Sequence, residues 1–203
     1  ITRLIAFFRT QVVHVKGGFL KMSYDKMNTF QKRIVRFILK SYSGGIVLSK
    51  SLRPLLTSFL PESKIFIQHN FIQNALIIPE QEITEQKKFT ALRLIFLSNL
   101  MKEKGIIELL DALDILNKNC ISFQAKIAGN VPSGQQELLI RMENTPNLEY
   151  IGVVQGQEKS KLLSWGNIFC LPTYYSMEGQ PISILEAMGF GNVIVTTKHA
   201  GIP

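Results

Sequence analysis

Glu178 stands directly before the turn Gly179-Gln180-Pro181, and Glu186 follows Glu178 by eight residues. Gly179 lets the backbone come close to a ligand. Pro181 suits the first turn of a helix, where its missing N–H is no loss. The free N–H groups of Gly179–Ile182 can then receive a diphosphate, helped by the helix dipole. Glu178, ahead of the helix, can accept hydrogen bonds from a polyol. Glu186, inside the helix, leans back toward the helix N-terminus. Such a pair brackets a ligand with hydroxyls at both ends and phosphates between, which is the layout of a nucleotide sugar. Spacing alone is a weak signal, because a helical Glu is usually just solvated. Lys104, beside a helix start, supplies a point charge suited to diphosphate. Metal chemistry has no support in the spacing. There is no D-x-D, His14, His69 and His199 are scattered, and Cys120 and Cys170 are far apart. Cys170, in the apolar run IFCLP, reads as a core residue.

These residues need a scaffold, and the hydrophobic pattern supplies one. Strands are expected at Gln11–Val15, Gly45–Leu48, Ile65–Gln68, Leu92–Leu97, Ser122–Ala128, Leu148–Ile151, Ile168–Leu171 and Val193–Thr196. Helices are expected at Met27–Ser41, Ser51–Phe59, Gly105–Asn117, Ser133–Glu143 (capped by Ser133), Gly156–Ser164 and Pro181–Met188. Strands apolar on both faces, alternating with helices, imply parallel sheets covered on both sides. The fold class is therefore α/β. Ligands in such sheets sit beyond the carboxyl ends of the strands. The polar run Pro79–Thr90 lacks a hydrophobic period and reads as a linker. It divides the chain into a partial N-terminal domain, residues 1–78, and a fuller C-terminal one, residues 91–203.

The 203 residues are 46% hydrophobic and 19% charged, an ordinary globular balance that excludes disordered and low-complexity classes. No apolar run is long enough to span a membrane. Charge is uneven. Residues 1–64 hold 12 Lys/Arg and 2 Asp/Glu, a net +10, whereas residues 65–203 hold 11 and 13, a net −2. Candidate partners for the basic half are anionic lipid, a phosphate-bearing substrate or nucleic acid. Nucleic acid is set aside, since no zinc-ligand, RNP-like or basic-region pattern is present. In Met27–Ser41, Phe30, Ile34, Phe37 and Ile38 share one face, and Lys32, Arg33, Arg36 and Lys40 the other. Such a helix either packs on its sheet with the charges solvated or rests on anionic lipid.

The string EGQPISILEAMGFGNVIVTTKHAGIP, from Glu178 to Pro203, closely resembles the signature of retaining glycosyltransferases of family 4, the "glycosyl transferases group 1" proteins of GT-B fold. Glu178 and Glu186 match the two glutamates of that family's E-x7-E motif. Pro181, Ala187, Met188, Gly189, Gly191 and the closing Ala200-Gly201-Ile202-Pro203 also fall in place. LIFLSNLMKEKGIIELLDAL resembles the first C-domain strand, its loop and the next helix, with Lys104 at the position that contacts donor phosphates. Ser98-Asn99 stands where many members have Gly-Arg. FQAKIAGN resembles the following strand and its glycine. LEYIGVVQGQEKSKLL resembles the strand and loop that hold the nucleobase, around Gly152, Val153 and Val154. In the N-terminal half, VVHVKGG is similar to a strand end with a His-x-His-Gly pattern. His14 takes the place of the first histidine and Lys16 that of the second.

The resemblance implies two Rossmann-like domains and transfer of a sugar from a UDP- or GDP-linked donor, with retention at the anomeric carbon. Lys104, Asn99 and the turn Gly179–Ile182 would serve the diphosphate, Glu178 the donor sugar and Glu186 the ribose. His14 would stand on the acceptor side. The donor phosphate would take the acceptor's proton, so no protein nucleophile, metal or cofactor is expected. A glycosidase-like pair of carboxylates is disfavoured, because both glutamates are assigned to the donor. The implied setting is bacterial surface polysaccharide, capsule or lipopolysaccharide assembly. A cytoplasmic protein is expected, peripheral on the inner membrane face, with a glycan or lipid-linked acceptor. Other readings are a non-catalytic GT-B partner that binds nucleotide or membrane, and another nucleotide-sugar enzyme such as an epimerase. The chain starts without Met and stops just after a strand, so a fragment cut at both ends, inactive by itself, is expected.

Overall fold

The computed structural model describes residues 10–73, 76–87 and 91–202. Pro203, and residues 88–90 of the expected linker, lie outside them. The chain folds into two compact units. One gathers the residues up to Asn70 with Ser176–Pro181 and the stretch from Lys198 on. The other holds Phe71–Tyr175 and Ile182–Thr197.

The first unit is a parallel sheet of β1 (Val12–Val15), β2 (Gly44–Val47) and β3 (Ile65–Ile67), in that spatial order. His14 pairs with Ile46, and Ile46 with Phe66. Parallel neighbours need crossovers. The first uses α1 (Phe19–Asp25) and α2 (Thr29–Lys40). The second uses a 3₁₀ turn, Lys50–Leu52, and α3 (Pro54–Thr57). The core is Val15, Leu39, Val47, Leu48, Leu52, Leu56, Phe59, Leu60 and Ile65. The Tyr24 ring meets Phe59 edge-on at 5.1 Å.

The start of α2 is fixed by a capping box. Asn28 Oδ1 accepts from the Gln31 amide at 2.9 Å, and Gln31 Oε1 accepts from the Asn28 amide at 3.0 Å. Val35 and Leu39 carry the helix onto the core. The apolar face read from the sequence does not. Phe30 is 71% exposed and Phe37 73%, and Ile34 and Ile38 are exposed as well. A helix that buries only one narrow strip leaves its second apolar strip, flanked by Arg33, Arg36 and Lys40, in solvent. α1 was not expected, because it lacks both a capping side chain and an acidic first turn.

The second unit is a five-stranded parallel sheet of β4 (Leu92–Leu97), β5 (Phe123–Ala128), β6 (Leu148–Tyr150), β7 (Ile168–Leu171) and β8 (Val193–Thr196). Its spatial order is β6-β5-β4-β7-β8. The helices are α4 (Glu80–Gln86), α5 (Ile106–Lys118), α6 (Gln136–Asn144), α7 (Gly156–Trp165) and α8 (Ile182–Gly189). Ile95, Phe96, Leu110, Leu113, Ile127, Leu163 and Phe169 have no exposed surface. The central strands are apolar on both faces for that reason. Strand order reverses between β4 and β7, so the crevice beyond their carboxyl ends is where a ligand belongs. Ser133 does not cap α6, contrary to the sequence reading. Gly134 takes φ +82°, which delays the helix to Gln136.

The segment read as a polar linker contains α4 and is tied to this second unit. The Ile83 side chain lies against Gly191, where an added Cβ would come within 2.5 Å of it. Lys87, 6% exposed, closes the end of α7. Its Nζ donates to the carbonyls of Leu163 at 2.7 Å, Ser164 at 3.2 Å and Gly166, and to Asn192 Oδ1 at 3.2 Å. One Ile and one Lys make no period, which is why the pattern missed this element. Burial first, then the Arg93 charge, lowers the Lys87 ammonium to about 8 from its ordinary 10.5. Between those two values the unfolded chain holds a proton that the folded one has lost. This group's contribution to stability therefore rises with pH across that window. Lys87→Met leaves several acceptors without a donor and costs about 2–4 kcal/mol. Urea unfolding of the two forms at pH 7 and 9.5 checks both statements.

Candidate functional site

In the second unit the site is built at the switch point. The loop after β4 makes a 3₁₀ turn, Lys102–Lys104, and enters α5 through Gly105 at φ +84°. A Cβ on Gly105 would stand 2.4 Å from the Pro172 carbonyl oxygen. The Glu103 carbonyl accepts from the Tyr174 amide at 2.8 Å and from Thr173 Oγ1 at 3.2 Å. The loops after β4 and β7 are thereby stitched together. Lys104, half-buried, places Nζ 4.8 Å from the centre of the Tyr175 ring. A cation held on an aromatic face has few places to go. The sequence-predicted phosphate lysine is thus a fixed charge at the carboxyl ends of β4 and β7.

The loops after β5 and β6 join the same rim through Gly129, at φ +145°. A Cβ there would lie 1.7 Å from the Ser98 oxygen, and the Gly129 amide donates to the Gly152 carbonyl at 2.9 Å. Only glycine permits both contacts. They bring Ser98-Asn99 and Gly152–Val154 to one edge. Asn99 is exposed, and Val153 is 58% exposed instead of packed in the core.

α8 carries Glu186, which is buried along with Ile184 and Ala187. Lys159 of α7 places Nζ 2.6 Å from Glu186 Oε1, with the two side chains 24% and 9% exposed. Lys159 gives this sheltered carboxylate a counter-charge at contact distance. Ile182, the first residue of α8, is half exposed.

The first unit holds the other part of the motif. Glu178, 7% exposed, sits in a loop pressed onto the end of β1. A Cβ on Gly17 would meet the Met177 oxygen at 2.3 Å, one on Gly18 the Ser176 oxygen at 2.0 Å, and one on Gly179 the Lys16 oxygen at 1.8 Å. The Gly201 amide donates to the Gly179 carbonyl at 2.9 Å. Asn70 grips Gln180 twice. Its amide donates to Gln180 Oε1 and its Nδ2 to the Gln180 carbonyl, both at 2.7 Å. Gln180 therefore spends its side-chain oxygen on holding the turn. His14 is exposed on β1, two residues before the Lys16 contact.

Sequence reasoning missed three residues that brace the candidate residues within their own units: Lys159 and Tyr175 in the second unit and Asn70 in the first. None forms a motif with its neighbours, and only the tertiary fold puts each beside its partner. Among the described residues, no group of three or more His, Cys, Asp or Glu is placed to hold a metal ion. Cys170 is buried, and burial pushes its thiol up to about 11, so it is no nucleophile.

Comparison with known proteins agrees with this architecture. The family described as "Glycosyl transferases group 1" matches residues 91–203. The chain is 28% identical over 120 residues to WcaL of Escherichia coli K12, named for colanic acid biosynthesis, covering 56% of this chain and 30% of that protein. It is 26% identical over 165 residues to AmsK, an amylovoran biosynthesis glycosyltransferase of Erwinia amylovora, covering 71% and 40%. It thus spans well under half the length of these relatives. Among solved structures, Anabaena Alr3699/HepE in complex with UDP and glucose aligns at TM-score 0.71 and 19% identity, over 98% of this chain and 55% of that one. WaaG, a glycosyltransferase of lipopolysaccharide biosynthesis, aligns at 0.67 and 15%, over 96% and 59%. These neighbours share the α/β fold of the GT-B glycosyltransferases. The chain belongs to the glycosyl transferases group 1 family.

Proposed function

We propose that the protein transfers a sugar from a UDP- or GDP-linked donor to a glycan or lipid-linked acceptor, with retention at the anomeric carbon, as family 4 enzymes do. The observation that supports this most is the E-x7-E string following β7 of a sheet that reverses its order beside that strand. In this reading Lys104, Asn99 and the amides of Gly179–Ile182 receive the diphosphate, whose departing charge is the main barrier. Gly152–Val154 receive the base, Glu186 the ribose and Glu178 the donor sugar. His14 serves the acceptor. The leaving phosphate takes the acceptor's proton, so no metal is required. The names of WcaL and AmsK favour surface polysaccharide assembly as the setting.

Turnover tests the reading. The protein is incubated with UDP- and GDP-sugars and isoprenoid-linked glycan acceptors, and nucleotide release and the product's anomeric coupling constant are read by NMR. One α-linked donor yielding an α-linked product supports the reading. An inverted product refutes retention. Loss of product in Glu178→Ala, with binding of the free nucleoside diphosphate kept, separates a transferase from a non-catalytic nucleotide binder. A nucleotide sugar altered without transfer points to an epimerase.

The protein also works at a membrane in this proposal, on the cytoplasmic side. Phe30, Ile34, Phe37 and Ile38 form an exposed apolar strip beside Arg33, Arg36 and Lys40, the pattern of a helix lying in an anionic lipid interface. Among the described residues no helix is long and apolar enough to cross a membrane. The protein should sediment with phosphatidylglycerol vesicles and stay free of phosphatidylcholine ones. Phe30→Ser with Phe37→Ser should weaken vesicle binding at least tenfold, since each ring contributes about 2 kcal/mol on burial. Equal binding to both lipids, or no effect of the double variant, would contradict this.

A further inference from the structure

The donor reading assigns Glu186 to the ribose but gives no role to the cation beside it. Lys159 stands in the first turns of α7, five residues after the Gly152–Val154 loop. Its ammonium is 2.6 Å from Glu186 Oε1, and both side chains are largely out of solvent. The pair therefore links the helix that follows the base-side loop to the helix that carries the ribose carboxylate.

Three physical consequences follow. First, a charged carboxylate sheltered from water is costly to hold without a counter-charge, and Lys159 supplies one at 2.6 Å. Second, a carboxylate has about four lone-pair sites. One ammonium contact fixes its rotamer and leaves acceptor capacity for two adjacent hydroxyls. Third, a bare carboxylate repels an incoming diphosphate, and a neutral pair does not. None of these requires Lys159 to touch the ligand.

We infer that Lys159 is a positioning residue for the nucleoside half of the donor: by holding Glu186, it makes the site select a ribonucleoside diphosphate over its 2′-deoxy analogue. This rests on the donor reading above. A site built to hydrogen-bond a hydroxyl discriminates against the analogue that lacks it.

The test is calorimetric titration of the chain with UDP, GDP and their 2′-deoxy forms. The variants are Lys159→Met, Lys159→Gln, Lys159→Arg, Glu186→Gln and Lys159→Met with Glu186→Gln, each checked for native circular dichroism. The wild type should prefer the ribonucleotide about tenfold. Lys159→Met should lose most of that preference and about tenfold in affinity, and Lys159→Arg should restore both. In the Glu186→Gln background the Met substitution should change little. Should Lys159→Met lose its fold, Lys159→Gln removes the charge but keeps a polar end group, and reads the same preference. Equal weakening of ribo and deoxy forms would mean a merely structural lysine and overturn the inference. A full effect of Lys159→Met in the Glu186→Gln background would mean direct contact with the ligand and overturn it too. A wild type that prefers ribose, with Lys159→Met unchanged, overturns this inference and leaves the donor reading standing. A folded wild type that binds none of the four overturns both.

Discussion

Glu186→Ala lowers affinity for the nucleoside diphosphate about 10- to 100-fold, the worth of one or two hydrogen bonds to a charged acceptor. The loss has two sources. The hydroxyl acceptor disappears, and the Lys159 ammonium, 24% exposed, loses the carboxylate it faces at 2.6 Å. Glu186→Gln keeps the acceptor oxygen but not the charge, so it should fall between wild type and Ala. Fold is kept in both, because Ile184 and Ala187 still bury α8. Calorimetry with the favoured diphosphate measures the effect. Unchanged affinity in the Ala form would remove Glu186 from the donor site.

Gly129→Ala is the second large effect, and it acts on the scaffold. The residue stands at φ +145°, which L side chains rarely adopt, and its Cβ would fall 1.7 Å from the Ser98 oxygen. Backbone strain and overpacking each cost about 1–3 kcal/mol. Together they should lower the thermal midpoint by about 10 °C. The contact cannot relax cheaply, because the opposing atom is backbone. Moving it displaces Ser98-Asn99, so diphosphate affinity should fall as well. Gly152→Ala is the matched comparison. Its φ is +73°, but the Cβ would meet nothing within 4 Å, so about 1 kcal/mol is expected. Scanning calorimetry of the two variants checks the order. A milder effect at position 129 than at 152 would contradict the packing argument.

The strands of the fold were legible because most are short, largely apolar runs of three to six residues between polar turns. β4, β7 and β8 begin and end where the pattern put them. The parallel arrangement followed from strands apolar on both faces. Legibility failed where one or two side chains do the anchoring. α4 is held by Ile83 and Lys87, and neither makes a period. α2 was identified, but its exposed face was not, since a sequence shows that a strip is apolar and not which of two strips meets the core. Val35 and Leu39 took that place, and Phe30 and Phe37 did not. The motif residues from Glu178 to Glu186, and Lys104, could be named as candidates from the sequence alone. Their supports could not. Asn70 lies 110 positions from Gln180 and Lys159 lies 27 from Glu186, so no local pattern connects them.

We propose the switch point of the five-stranded sheet as a nucleoside diphosphate site. Amide chemical-shift mapping of the labelled chain, titrated with UDP and with GDP, tests it most directly. Saturable shifts with one of the two are expected at Asn99, Lys104, Gly152–Val154, Lys159 and Glu186. No shifts in a folded sample, or shifts confined to residues away from the ends of β4 and β7, would contradict it.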